Sequence, residues 1–363
     1  MNSFSRFRRK RKYGLLRGCL LLLTTLARPI LVILAVSSAA YANPYLAKPG
    51  ERSLTLRIAT CAVSGGFVHL YTAIDNKLFS KYGLNFEHIY IQASAPSLAA
   101  LAADEIQFLY CAADATLPTM ASGIGGKIVA SPLLKLPYVM VSRKEIKRPE
   151  DLRGKTIGIA RAGNNLSERL SRAVVRRFNI PQDEVIIRPV GGSQSERFQA
   201  MRLNFVQAIV VTPPLDVRAK NEGFNVLYRL VELGIPFIYS SVHASGKMLR
   251  ERPDIVQRVV AAFAETVYFV EKNPDKAKAA IAKAMRTQDQ EALQASYDVY
   301  AREIVDRRMA VPERVVADTI EQARQSGINV RVKPEELYDN SFTAHLEKSG
   351  FLKELWGSEL SMR

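Results

Sequence analysis

The sequence predicts an α/β protein of two facing lobes, each a mostly parallel sheet with helices on both faces, and a central cleft between them. Three observations carry this. Strand, small-residue turn and helix recur in alternation, which implies parallel strands covered by helices. The recurrence forms two series, the second beginning at Pro149-Glu150-Asp151-Leu152-Arg153-Gly154-Lys155. Each series ends three strands in small-residue turns, and in open α/β sheets ligands lie outside the carboxyl ends of the strands.

Residues 1–42 read as an export signal. Arg6, Arg8, Arg9, Lys10, Arg11, Lys12 and Arg17 form a basic region without an acid, apolar runs follow, and Ala40-Tyr41-Ala42 offers a cleavage site. Arg28-Pro29 splits the apolar part, so an uncleaved membrane anchor is the alternative. Either way the remainder lies outside the cytoplasm. The 363-residue chain has a formal net charge of +16, of which the eight Lys and Arg of this segment supply half. What remains is moderately basic, and no basic run is interleaved with aromatics, which speaks against nucleic acid. Cys61 and Cys111 alone follow the segment, and the four His have no metal-ligand spacing.

The opening unit spans Leu54 to Leu84. Leu54 to Thr60 alternates poorly, as a strand buried on both faces does. Ser64-Gly65-Gly66 breaks the run, Phe67, Leu70, Tyr71, Ile74, Leu78 and Phe79 trace one helical face, and Gly83 stops it as a left-handed cap. Backbone N–H groups at such a turn face open space and receive anionic or polar ligands. Asn85–Ile91 and Ile106–Tyr110 read as strands, with Ala93 to Ser97 and Cys111 to Asp114 as the next turns. Lys127–Ala130 and Tyr138–Ser142 are further strands. In the second series, Thr156–Ala160, Val185–Val190 and Ala208–Val211 lead to turns at 162–165, 191–193 and 212–214. After Ile238 the chain turns helical, from Pro253 through Lys348.

These residues resemble the periplasmic substrate-binding proteins of ABC importers, in the branch serving nitrate, sulfonates, taurine and thiamine-pyrimidine precursors. Ser64-Gly65-Gly66-Phe67 with Lys77 to Leu84 is similar to the family's opening block ending F-x-x-x-G-L. Ser97 to Phe108 is similar to its ALASGEID block, with Ala103 and Gln107 as departures. Asp151-Leu152-Arg153-Gly154-Lys155-Thr156-Ile157-Gly158 is similar to DLKGKKIGV. The resemblance covers most of residues 54–275. It implies a two-lobed type II periplasmic-binding-protein fold, with residues 43–142 plus 239–363 in one lobe and 143–238 in the other. The crossovers fall near Val141-Ser142 and Tyr239-Ser240. It further implies a monomeric receptor for a small organic anion or zwitterion (sulfonate, taurine-like, carboxylate or pyrimidine), an ABC permease in the inner membrane as partner, and no cofactor, metal or catalytic residue. A thiamine-pyrimidine synthase-like enzyme and a ligand-sensing subunit of a membrane receptor are the alternatives. The family topology also sets the strands ending at Cys61 and Cys111 side by side. The pair reads first as two small buried hydrophobes, with oxidation to each other as the alternative.

The ligand-binding candidates are the turn residues. Ser64, Gly65 and Gly66 open a helix, while Phe67 either covers a ligand or fills core. Ser94 and Ser97 read as helix caps, and a cap either serves its helix alone or also faces a ligand. Ala112 and Asp114 end the third turn, and Asp114 either caps the next helix or holds a cationic group of the ligand. Asn164 and Asn165 offer donors and acceptors beside Arg161, whose planar fork suits a carboxylate or sulfonate. Gly192, Ser193 and Thr212 complete the set.

Overall fold

In the computed structural model, residues 43–161 and 165–362 are described, so the segment 1–42 read as an export signal lies outside them. Among the described residues, ten strands make two sheets: β1 (Leu54–Thr60), β2 (Leu84–Tyr90), β3 (Phe108–Cys111), β4 (Lys127–Leu133), β5 (Val139–Ser142), β6 (Thr156–Ile159), β7 (Ile186–Pro189), β8 (Ala208–Val211), β9 (Asn225–Arg229) and β10 (Ser240–Ala244). Central strands β3, β5, β6, β8 and β10 are buried along their whole length. That is why β3, β5 and β8 read as apolar runs rather than as alternations. Edge strand β2 is polar and half-exposed.

The first sheet has the order β2-β1-β3-β10-β4 and the second β7-β6-β8-β5-β9. In each, one strand runs against the rest. β10 pairs antiparallel with β3 and β4, and β5 pairs antiparallel with β8 and β9. These two strands are where the chain crosses between sheets. The sequence reading put residues through Ser142 in the first lobe. The structure corrects this: β5 belongs to the second sheet, so the first crossover lies between Leu133 and Val139. The connection Leu134-Lys135-Leu136-Pro137-Tyr138 is short, and its composition does not say which sheet the next strand joins.

Four apolar clusters cover the four sheet faces. The largest lies on the first sheet, where the helices Val68–Asp75 and Pro253–Lys272 pack together. Pro253 starts the latter at a position whose N–H has no intrahelical partner anyway. The expected helix after the first turn is shorter than its apolar spacing indicates. It ends at Asp75, and a separate 3₁₀ turn, Leu78–Tyr82, closes on Gly83 at φ 70°. No helix among the described residues is long and apolar enough to cross a membrane.

Cys61 and Cys111 form a disulfide, contrary to the first reading of two separate buried thiols. The register gives the reason. β1 and β3 run parallel with Thr60 opposite Tyr110, so the next residues face each other as both strands end. Their Cα atoms are 5.5 Å apart, within the range a disulfide spans.

Candidate functional site

The Ser64 turn is built differently from the open amide cradle that its residues predict. Gly65–Phe67 is a 3₁₀ turn in which Ser64 Oγ accepts the Gly66 N–H at 3.1 Å and Ser64 O accepts the Phe67 N–H at 3.1 Å. These amides are therefore committed within the turn. The space above the glycines holds two aromatic rings. A Cβ on Gly66 would lie 2.3 Å from the Tyr239 ring, and one on Gly65 3.0 Å from the Tyr300 ring. Phe67 fills core, 5.3 Å from the Tyr110 ring centroid.

Tyr239 and Tyr300 stack at 5.6 Å and 21°. From this stack polar contacts run to both sheets. Ser64 Oγ lies 3.3 Å from Tyr239 Oη, and Tyr300 Oη donates to Pro213 O at 3.1 Å. Thr212, at the end of β8 and next to Pro213, donates its N–H to Gln194 Oε1 at 2.7 Å. Tyr138, before β5, sets its ring edge-on to Tyr239 at 6.2 Å. The Ser64 and Thr212 turns, from different sheets, thus meet through a pair of tyrosines.

A cavity of about 340 Å³ opens at the carboxyl ends of β6, β7 and β8, lined by Tyr138, Arg161, Asn165, Gly192, Gln194 and Arg197 among others. This volume is at the lower end of small-molecule sites. Asn165 caps the helix Leu166–Arg177, its Oδ1 accepting the Glu168 N–H at 3.3 Å. Gly192 lies on the wall, while Ser193 is exposed and closes a capping box with Glu196. Asn164 lies outside the described residues.

The Ser94 turn is corrected more strongly. Ser94 and Ser97 lie inside the helix Ser94–Ala102, whose cap position is Ala93. Ser97 is buried and gives its hydroxyl to Ala93 O at 2.7 Å and Ile91 O at 3.1 Å, so its donor is committed to its own turn. Pro96 did not delay the helix start, because a first turn needs no proline N–H.

Asp114 is likewise not the cap. Ala112 holds that position, accepting the Ala115 and Thr116 N–H groups at 3.2 Å each, and Asp114 lies in the first turn. Loss of water around its carboxyl pushes the pKa up to about 6, against the pull of Arg169 and of the Asp114 and Ala115 amides. Tyr138 and Tyr239 also feel this carboxylate. Since the unfolded value is near 3.8, the folded state holds its proton more tightly. The linked stability is therefore full below about pH 4 and falls as pH rises to about 6. Asp114→Asn should flatten that slope in urea titrations at stepped pH; an unaltered slope would show that Asp114 does not titrate there.

The candidate list missed Tyr138, Gln194, Arg197 and Tyr300, and Tyr239 entered only as a crossover. Tyr138 and Tyr239 had a usable signal, each being an aromatic residue just before the strand that changes sheet. His69 and His243 are buried, and desolvation lowers their pKa to about 3 and about 4. His243 is tied to Thr116 Oγ1 at 3.0 Å, a structural role.

Known proteins resemble the chain over most of its length. A Brachyspira hyodysenteriae protein named as an ABC transporter periplasmic binding protein is 24% identical over 256 residues, covering 66% of this chain and 71% of its own. The periplasmic aliphatic sulphonate binding protein SsuA from Escherichia coli superposes with a TM-score of 0.63 at 18% identity, over 79% of this chain and 98% of that one. The desulfurization enzyme DSZB superposes with a TM-score of 0.58 at 14% identity, over 82% and 99%. Residues 65–277, more than half of the chain, match the family described as NMT1/THI5 like, and the protein belongs to that family.

Proposed function

We propose that the protein is an extracytoplasmic solute-binding protein that takes a small organic anion or zwitterion into the cleft and delivers it to an ABC permease. The observation that carries this reading is the 340 Å³ cavity at the strand ends of the second sheet, adjoining tyrosines that contact turns of both sheets. The lobes are the two sheets with their helices, and the hinge is the pair of crossovers at residues 134–138 and 230–239. Closure is a ligand-stabilised shift between two arrangements. The protein works as a monomer in the periplasm. Family membership and the Brachyspira relative's name support this reading.

Ligand contact is assigned to Asn165, Gly192 and Thr212, with Ser64 and Asp114 from the first sheet. A thermal-shift screen against sulfonates, carboxylates, amino acids and pyrimidines tests this. A solute at 100 times its Kd should add about 2.7 kcal/mol. Ser64→Ala combined with Asn165→Ala should remove most of that gain. A full gain in the double variant would refute the assignment. The DSZB likeness keeps a second reading, catalysis on the same fold, and product release during incubation with the bound solute would favour it.

A further inference from the structure

Two arginines among the described residues are buried, Arg307 at 3% exposure and Arg197 at 5%. Their surroundings differ. Arg307 meets the Glu271 carboxylate at 2.7 Å and lies over the Trp356 ring at 4.0 Å. Arg197 has no carboxylate within salt-bridge range among the described residues. Its Nη1 donates to two neutral carbonyls, Gly192 O at 3.0 Å and Gly191 O at 3.2 Å, and its Nε has no partner. The adjacent acid, Glu196, is exposed and turned to the Ser193 N–H at 2.8 Å.

A buried cation without a counter-charge is costly, whereas a paired one is tolerated. Arg197 lines the 340 Å³ cavity, where a guest could supply the missing charge. The other charges nearby do not balance it. Asp114 and Arg169 attract each other, and Arg161 adds a further cation at the exposed rim. We propose that Arg197 is the specificity-determining residue of the cavity and selects solutes bearing a sulfonate or carboxylate over neutral or cationic ones. The planar guanidinium matches such a group in shape as well as charge. Its Nη1 bonds to the glycine carbonyls hold the plane fixed before the solute arrives. The inference rests on the solute-binding reading.

Titration calorimetry of the full chain with hexanesulfonate, taurine, benzoate, thymine and putrescine tests it. At least one of the first three should bind, and Arg197→Gln should weaken it by about 30-fold or more, the loss from removing one partner of a buried charge pair. Without solute, Arg197→Gln should unfold no earlier than the wild type, because it removes an uncompensated charge; a purely bracing residue would give earlier unfolding. Anion affinity kept within threefold in Arg197→Gln overturns the proposal. Binding of thymine or putrescine alone overturns it too, yet leaves the receptor reading standing; no binding by any probe counts against both. If Arg197→Gln does not fold, Arg197→Lys decides: a five- to tenfold loss supports the proposal and undiminished affinity overturns it.

Discussion

Tyr239→Ala will destabilise the protein by about 3–5 kcal/mol, the cost of deleting a large aromatic side chain from a packed site. Tyr239 is 9% exposed, stacks on Tyr300, sets its edge to Tyr138 and fills the hollow over Gly66. Truncation leaves a void that those neighbours cannot close together, since Gly66 has no side chain to offer. Tyr239→Phe separates the two contributions. It keeps the stack and loses only the hydroxyl contacts to Ser64 and Tyr300, a loss of about 1–2 kcal/mol. Urea denaturation of both variants is the measurement. A Tyr239→Ala shift below 1 kcal/mol would mean the stack is not a structural junction. Solute affinity should fall in the alanine variant as well, because the Ser64 and Thr212 turns lose the ring between them.

Cys61→Ser with Cys111→Ser will lower stability by about 3–4 kcal/mol, as expected when a cross-link closing a loop of this size is removed. The two cysteines are 50 residues apart, and the bond fixes the ends of β1 and β3 just before the Ser64 and Asp114 turns. Chemical denaturation with and without reductant checks this. The wild type in reductant should fall to the level of the double variant, while the variant should not respond. A wild type indifferent to reductant and equal to the variant would contradict the prediction. The bond is also consistent with a location outside the reducing cytoplasm.

Much of the fold was legible because strand and helix boundaries are local matters. β1 and β8 fall on the expected residues, as does the helix Pro274–Met285. β9 and β10 were not seen. β9 is a half-exposed edge with mixed side chains. β10, Ser-Ser-Val-His-Ala, is fully buried yet polar in composition. It is tolerated because Ser240 lies 3.1 Å from Tyr110 Oη, Ser241 Oγ donates to Cys111 O at 3.2 Å, and His243 is bonded on both ring nitrogens. Those partners lie over a hundred residues away, so the window around β10 carries no sign of them.

The candidate site divides the same way. Asn165, Gly192 and Thr212 could be picked out as turn residues, since a turn after a buried strand shows its position in composition. Their neighbours could not. Arg197 reads as one charge among several on a polar helix, and only packing reveals that it is buried without a counter-ion. Tyr300 belongs to a helical stretch that nothing local connects to Gly65 or Pro213.

The sequence by itself determined the alternation of strands and helices, the family, and the turns from which a site would be assembled. Tertiary structure decided which turns meet, which hydroxyls are already committed, which cysteines bond and which arginine is left without a counter-charge. The reason is physical: backbone preference acts over a few residues, whereas burial and charge balance depend on atoms brought together from distant parts of the chain.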